Sequence, residues 1–306
     1  MLRYLAVRLV QSLLLMLGVL AIVFMLVRLT GDPAALMLPK EASPEQRTTF
    51  RATLGLDQSL IAQFGLYFAQ VLRGDLGRSL RLDQANAALI AERVPATLEL
   101  AFGAFAFSVL LAVPLGLLAG ARPGSLGDLA ARTLAFSAQI VPSFWLAMLL
   151  ILWFAVGLGW LPSFGRDSLA SLVLPSVALG FAGMGQLLRL TRTATLETRG
   201  ADFVRTARAK GLSEPRVAWA HILRNAGVPL IGVAGVQFTY LLGGSVYIES
   251  VFAWPGLGGL LETAIRDSDF PLVQAITLFV SAIAIGVQLL GDVLTALVDP
   301  RTRTAS

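Results

Sequence analysis

Six apolar stretches, each long enough to cross a bilayer as a helix, dominate this 306-residue sequence: about 9–29, 98–121, 134–158, 172–190, 228–251 and 272–298. A hydrocarbon core of about 30 Å takes roughly 20 residues of α-helix, and within it every backbone N–H and C=O must find its partner inside the segment. The sequence therefore predicts an all-α polytopic membrane protein with six transmembrane helices. Composition agrees: 56% of residues are hydrophobic and 14% are charged, against roughly 25% charged in an ordinary soluble domain.

The first stretch follows Arg3 and Arg8, the basic start of a signal peptide, but its apolar run is too long and no small-x-small cleavage site follows. It reads as an uncleaved first span (1–29 with its short leading end), with Arg28 near the far end placed to snorkel toward the headgroups. Short loops orient the rest, because lysine and arginine accumulate on the cytoplasmic side. With the N-terminus inside, Arg3, Arg8, Arg122, Arg132, Arg301, Arg303 and the basic 191–227 connection all become cytoplasmic, and the two short outer loops keep only Arg166 and Arg266. Both termini are expected in the cytoplasm, the 299–306 tail included. The net charge of +5 is thus a mark of topology rather than of nucleic-acid binding.

The 30–96 segment is then extracytoplasmic and structured. Ser43-Pro-Glu-Gln46 has the shape of a capping box with proline at the first helical position. Leu60, Phe64, Tyr67, Phe68 and Val71 follow at helical spacing, so two short helices are expected here, at least one with an apolar face lying on the bilayer surface or against the spans. The five remaining spans form a core over 97–298.

Several chemistries are excluded. There is no cysteine, so no disulfide or thiolate metal site. The one histidine, His221, falls outside the bilayer, and the sequence lacks HExxH, paired intramembrane aspartates and the phosphate-binding GxxxxGK[ST] pattern. The chain is not expected to be an enzyme, nor to bind a cofactor or metal; any ATP and magnesium would be held by another chain. Mid-span acids or cations, which ion-coupled carriers use as relays, are nearly missing: Glu99, Glu249 and Asp292 sit toward helix ends. Gln139, Ser143, Gln186, Gln237, Tyr240 and Ser245 are polar within or near spans, and each must face protein or a water-filled path. They are pathway or gate candidates together with Gly243 and Gly244, and interhelical hydrogen bonding is the equal alternative for each. In the fourth stretch Gly180, Gly183 and Gly185 predict close helix approach.

The longest cytoplasmic connection reads GADFVRTARAKGLSEPRVAWAHILRNAGVP. Phe203, Val204 and Ala207 form one apolar edge, with Arg205, Arg208 and Lys210 directed elsewhere. Gly211 is placed to end the first helix. Ser213 is an N-cap candidate for a second helix with Pro215 in its first turn, and Val217, Ala220 and Leu223 continue an apolar edge.

At these residues the chain resembles the permease subunits of ABC importers, whose cytoplasmic loop bears the helix–turn–helix called the EAA motif, and within them the dipeptide/oligopeptide branch. Ala207 and Gly211 match the motif, while Arg205 and Thr206 stand where its Glu-Ala would be. The resemblance runs over the whole chain through LTGDPA, LGLDQSLIAQF, GDLGRSL, RVPATLEL, VPSFWLA, GWLPSFG, YLLGGSVYIESVFAWPGLGGLLETAIRDSDFPLVQA and DVLTALVDPRTR, in that order. A positive-inside loop or an anionic-lipid patch accounts for the basic charge but not for this succession. The resemblance implies the type I importer fold and an ATP-driven importer of di- or oligopeptides; nickel, glutathione and oligosaccharides are alternative cargoes, and a stand-alone channel or secondary carrier is the alternative of another class. It implies two ATPase subunits, a second homologous permease and an extracytoplasmic binding protein, in the cytoplasmic membrane of a bacterium or archaeon. Phe203, Val204, Arg205, Ala207, Arg208, Lys210, Gly211, Leu212, Ser213, Glu214 and Arg216 become candidates for the ATPase contact. The turn carrying Phe252, Trp254, Pro255, Gly256 and Gly258 becomes a candidate face for the binding protein, with a tight re-entry turn as the other reading.

Overall fold

The computed structural model describes residues 2–30, 43–53 and 57–298. Its helices are, in order, α1 (Leu2–Thr30), α2 (Pro44–Thr53), α3 (Leu60–Leu72), α4 (Asn86–Ala121), α5 (Leu126–Ile140), α6 (Ser143–Leu150), α7 (Val173–Thr198), α8 (Asp202–Ala209), α9 (Glu214–Val217), α10 (Leu223–Val251), α11 (Leu257–Arg266) and α12 (Phe270–Val298). Five of them, α1, α4, α7, α10 and α12, are long and apolar enough to cross a membrane. The expected third span is broken: α5 and α6, the latter widening into a π turn over Ile151–Gly157, meet at 105°. Pro142 explains the break. It disfavours helical backbone at the residue before it, and Val141 accordingly lies extended at φ −72°, ψ 118°. The second span begins earlier than expected, at Asn86, because α4 passes through Pro95 by forgoing one backbone bond.

Small residues set the packing of the bundle. The most extensive contact is between α4 and α7, where a Cβ on Gly116 would come within 2.6 Å of the Thr191 side chain. The three glycines of α7 face three different helices: Gly180 meets the Ala104 carbonyl of α4, Gly183 the Gln237 amide of α10, and Gly185 the Ala135 carbonyl of α5. The buried Ser108 hydroxyl donates to both Ala104 and Gly180 carbonyls, at 2.9 and 2.6 Å. One helix is thereby close-packed on three neighbours, as association without a hydrophobic driving force between helices requires.

The segment between α1 and α4 is tied down at several points. Ser43 and Gln46 exchange the reciprocal bonds of a capping box, at 2.9 and 3.2 Å, ahead of Pro44 at the start of α2. Phe64 and Tyr67 of α3 pack on Phe24 of α1, with ring centroids 5.4 and 5.9 Å apart. Arg28 does not reach away from the protein as the sequence suggested. Its Nε donates to Gln63 Oε1 at 2.8 Å and its guanidinium lies over the Phe24 ring, because α3 brings it an acceptor and an aromatic face. Farther along, the Asp269 carboxylate accepts from the Ser79 hydroxyl at 2.5 Å and from the Leu80 and Arg81 amides at 3.2 and 3.3 Å. It also accepts from Leu272 N–H at 3.3 Å in the first turn of α12. The GDLGRSL and RDSDFP segments are thus one joint.

Arg8 of α1 pairs with Asp292 of α12 at 3.4 Å, so the start of α1 and the end of α12 lie together. Chain direction puts the 199–222 connection at this same, basic end and the α10–α11 turn at the opposite end. The expected tail at 299–306, and part of LTGDPA, fall outside the described residues.

Candidate functional site

The basic connection folds as a helix, a glycine turn and a second helix. Backbone bonds from Gly211 N–H to the Arg208 carbonyl (2.9 Å) and from Leu212 N–H to the Ala207 carbonyl (3.3 Å) close α8 in a Schellman arrangement. Gly211 adopts φ +77°, which a side chain tolerates poorly. Leu212 then folds back into a cluster with Val204, Ala207, Val217 and Ile222, whose floor is Leu117 of α4. Ser213 takes the extended backbone of an N-cap, but its side chain makes no capping bond.

The sequence-predicted edge is corrected at two places. Val204 and Ala207 are buried as expected, but Phe203 is 41% exposed and turns outward; the narrow buried line of this short helix is Val204 and Ala207, three apart, and residue 203 stands about 100° around the helix from Val204. Ala220 is exposed, and Ile222 takes its place in the cluster. The outward surface therefore carries Phe203, Arg205, Arg208, Lys210, Gly211, Ser213, Glu214, Arg216 and, unforeseen, Trp219. Arg208 and Glu214 join across the turn in a bidentate pair, 2.7 and 3.1 Å. The Arg208 guanidinium holds the Glu214 carboxyl below its ordinary range. The result is a preformed surface, with backbone, ion pair and buried cluster all fixing one shape.

A second charged network stands where α5 and α7 meet at the same end. The Asp128 carboxylate, 2% exposed, binds Arg192 through Nε at 2.5 Å and Nη2 at 3.0 Å. It also accepts from Gly124 N–H at 2.9 Å, with Arg132 at 3.6 Å. This joint links the chain leaving α7 toward α8 to the start of the bent α5–α6 pair.

The turn at the opposite end is built inward. Phe252 and Trp254 are 1% and 2% exposed, and Gly256 and Gly258 are buried too, so these residues do not offer the partner-facing surface the sequence suggested. Pro255 is half-buried and Ala253 exposed. The cause is Glu249. Its carboxylate accepts from Thr97 Oγ1 (2.8 Å), Gly258 N–H (2.7 Å) and Gly259 N–H (3.1 Å), and Thr97 Oγ1 accepts in turn from Leu257 N–H (2.7 Å). All three leading amides of α11 are satisfied by side chains from α10 and α4, and a carboxylate suits the positive end of a helix. Trp254 Nε1 donates to the Ala96 carbonyl at 2.8 Å. The 158–168 loop closes over this turn: Gly165 N–H donates to the Phe252 carbonyl at 3.0 Å, and Arg166 pairs with Glu99 at 2.6 Å.

The pathway candidates divide. Gln139 on α5, Gln186 on α7 and Tyr240 on α10 are exposed on the surface of the single chain, and Ser143 on α6 is half-buried. Gln237 is buried against Gly183, and its Nε2 has no hydrogen-bond partner among the described residues. Ser245 is buried and bonds the Leu242 carbonyl at 3.0 Å. Gly243 is exposed and Gly244 half-buried. Gly243, with Thr97, Ser245, Leu261 and Thr277, lines a cavity of about 190 Å³ between α4, α10, α11 and α12. The structure thus does not gather the candidates into one site.

The sequence pattern of the binding-protein-dependent transport system inner membrane component family matches residues 112–304, and that of its N-terminal region matches residues 1–101. The chain belongs to this family. Among similar proteins is a putative peptide transport system permease protein of Brucella abortus, 42% identical over 305 residues and covering 97% of each chain. Another is a glutathione transport system permease protein of Salmonella choleraesuis, 40% identical over 304 residues and 99% of each chain. In fold, the permease is similar to a chain of the MetNI methionine ABC transporter in an inward-facing conformation (TM-score 0.58, 21% identity, 69% of this chain and 96% of that one). The expectation of an ABC importer permease with an all-helical, type I fold holds. Sequence reasoning missed in this permease the roles of Glu249, Asp128 and Asp269, whose partners are remote in sequence. The only available signal was that Glu249 and Asp269 lie inside family-like segments.

Proposed function

We propose that this permease forms half of the translocation pathway of an ATP-driven peptide importer, takes force from an ATPase subunit at 203–216 and Trp219, and sits with that end in the cytoplasm. The observation that carries this is the two-sidedness of the loop. Val204, Ala207, Val217 and Ile222 lock it onto Leu117 of α4, while aromatic and basic side chains stand outward on a rigid turn. A push on the outer face is delivered to the bundle instead of being absorbed by the loop. Exposed Gln139, Gln186 and Tyr240 support a second permease, homologous to this one, closing the pathway from the other side, because exposed amide and hydroxyl groups are costly against lipid. A binding protein would dock at the α11 end, meeting the 158–168 loop and α11 rather than the buried Phe252 and Trp254. ATP and magnesium would be bound on two ATPase subunits. Di- and oligopeptides are the cargo that the name of the Brucella relative supports, and glutathione, the cargo in the name of the Salmonella relative, is itself a small peptide.

The test is Gly211→Trp in the assembled transporter. A Cβ at Gly211 meets nothing within 4 Å, so the indole projects from the outward face, and the left-handed backbone adds about 1 kcal/mol of strain. Uptake is expected to fall while ATP hydrolysis persists and the chain stays in the membrane. Unchanged uptake with unchanged stimulation of hydrolysis by the binding protein refutes the contact. Uptake by the reconstituted chain alone refutes the subunit reading in favour of a self-sufficient channel or carrier.

A further inference from the structure

The cavity of about 190 Å³ between α4, α10, α11 and α12 plays no part in the coupling surface. Val246, Leu261, Ile276, Val280 and Ile283 make its walls largely apolar. Three hydroxyls in the lining are already engaged: Thr97 with Glu249, Ser245 with the Leu242 carbonyl and Thr277 with the Val273 carbonyl. No fully buried polar side-chain atom of the described lining lacks a hydrogen-bond partner. Such a space gains from an apolar group and not from water, and an apolar cavity of about 150 Å³ already admits benzene. One residue of the described lining is exposed, Gly243, and the mouth is there.

Gly243 belongs to an exposed stripe along α10, formed by Val236, Tyr240, Gly243, Tyr247 and Ser250 at the three- and four-residue spacing of one helix face. α7 and α10 run in opposite directions and touch where Gly183 meets Gln237. On antiparallel helices, residues the same number of positions past the contact turn to the same side of the pair. Gln186 and Tyr240, each three past it, therefore share a side, and both are exposed. A side bearing an amide and phenols needs water or protein before it, whereas the exposed face of α1 offers lipid only Leu13, Leu14 and Leu17. We infer that the cavity is a side pocket of the translocation pathway, taking an apolar side chain of the peptide cargo past Gly243. Tyr240 and Tyr247 stand about 4.5 Å and about 6 Å along the helix on either side of Gly243, and between their rings a Cβ at 243 would meet nothing within 4 Å. This inference rests on the peptide-importer reading above and adds to it a step of selection made by the permease itself.

The experiment uses the assembled transporter with its binding protein and ATP, and a tripeptide of alanines whose central residue is replaced by a diazirine analogue of leucine. Irradiation during turnover is expected to label the cavity wall at Leu261, Thr277 or Val280. At equal occupancy of the binding protein, excess Ala-Phe-Ala is expected to suppress that label about tenfold more effectively than excess Ala-Ala-Ala, the discrimination a hydrophobic pocket supplies. Gly243→Leu covers the mouth and removes the label; Ser281→Leu, filling the cavity from α12, does so should the first variant fail to assemble. Label confined to Tyr240 and Tyr247, label unaltered by both variants, or equal competition by the two peptides overturns the pocket. So does labelling of the same wall by a phospholipid with a diazirine in its acyl chain, or a crosslink from a photoreactive residue at Gly243 to the second permease. Uptake of the tripeptide with the cavity unlabelled refutes the pocket alone, whereas no uptake of any peptide refutes the cargo reading and the pocket with it.

Discussion

Removing the Glu249 carboxylate should release the α10–α11 turn. In Glu249→Ala two buried donors, the Thr97 hydroxyl and the Gly258 amide, and the half-buried Gly259 amide lose their acceptor. Each unmatched donor costs about 1–3 kcal/mol, and allowing the hydroxyl to turn elsewhere leaves a loss of roughly 4 kcal/mol, large against a total stability of about 5–15 kcal/mol. Glu249→Gln keeps one oxygen for the two amides and turns its NH₂ toward Thr97, so it should cost only about 1–2 kcal/mol, mostly charge assistance. The assay is thermal unfolding of the assembled transporter, where the alanine variant should melt about 10 °C lower at roughly 2–4 °C per kcal/mol. Gly256 supplies an internal control, because a Cβ there would overlap the same carboxylate. Gly256→Ala should destabilise the wild type but cost far less in the Glu249→Ala background, a coupling that a double-mutant cycle reads directly. Additive effects, or a glutamine variant as weak as the alanine one, would refute the capping argument.

Other perturbations follow from the same geometry. Gly180→Leu should prevent accumulation of folded protein, since the Ala104 carbonyl stands where the side chain would begin; membrane-fraction immunoblotting reads this. Asp128→Asn should cost about 2–3 kcal/mol by leaving the largely buried Arg192 without its counter-charge, and removing both charges should recover part of that loss in the same melting assay. The Arg208–Glu214 pair fixes a pH window. Because the folded Glu214 pKa is depressed, its contribution is fully present above the ordinary glutamate value of about 4.3 and is lost as pH falls through the lower folded value. Hydrogen exchange at the Gly211 and Leu212 amides should therefore be insensitive to the pair's titration from pH 8 to about 5 and rise only in stronger acid, with Glu214→Gln faster throughout. A rise between pH 7 and 5 would contradict the pairing.

Much of the local structure was legible in the sequence. The Ser43–Gln46 box, the glycine that ends α8 and the aromatic face of α3 are written in residues a few positions apart, and short-range backbone chemistry realises them directly. The close approach of Gly180, Gly183 and Gly185 was legible as a tendency, although which helix each would meet was not. The misreadings share one cause. Phe203 was placed on one edge with Val204 and Ala207, and Trp254 on a partner-facing turn, because an aromatic residue carries no mark of the direction in which it will point. Pro142 was visible, but a 105° break inside an apolar run is not distinguishable by composition from a straight span.

The sequence by itself determined that this chain lives in a membrane as helices, for the bilayer leaves a long apolar segment no other way to satisfy its backbone. It also determined where the basic loop would turn, since a left-handed residue there calls for glycine. Only the tertiary structure decided what holds each end of the bundle. Glu249 caps a helix together with Thr97, 152 residues away, and Asp269 clamps Ser79, 190 residues away. Such pairings depend on which helices come to lie side by side, a choice made by the summed packing of glycine and alanine faces and not by any stretch of chain read alone.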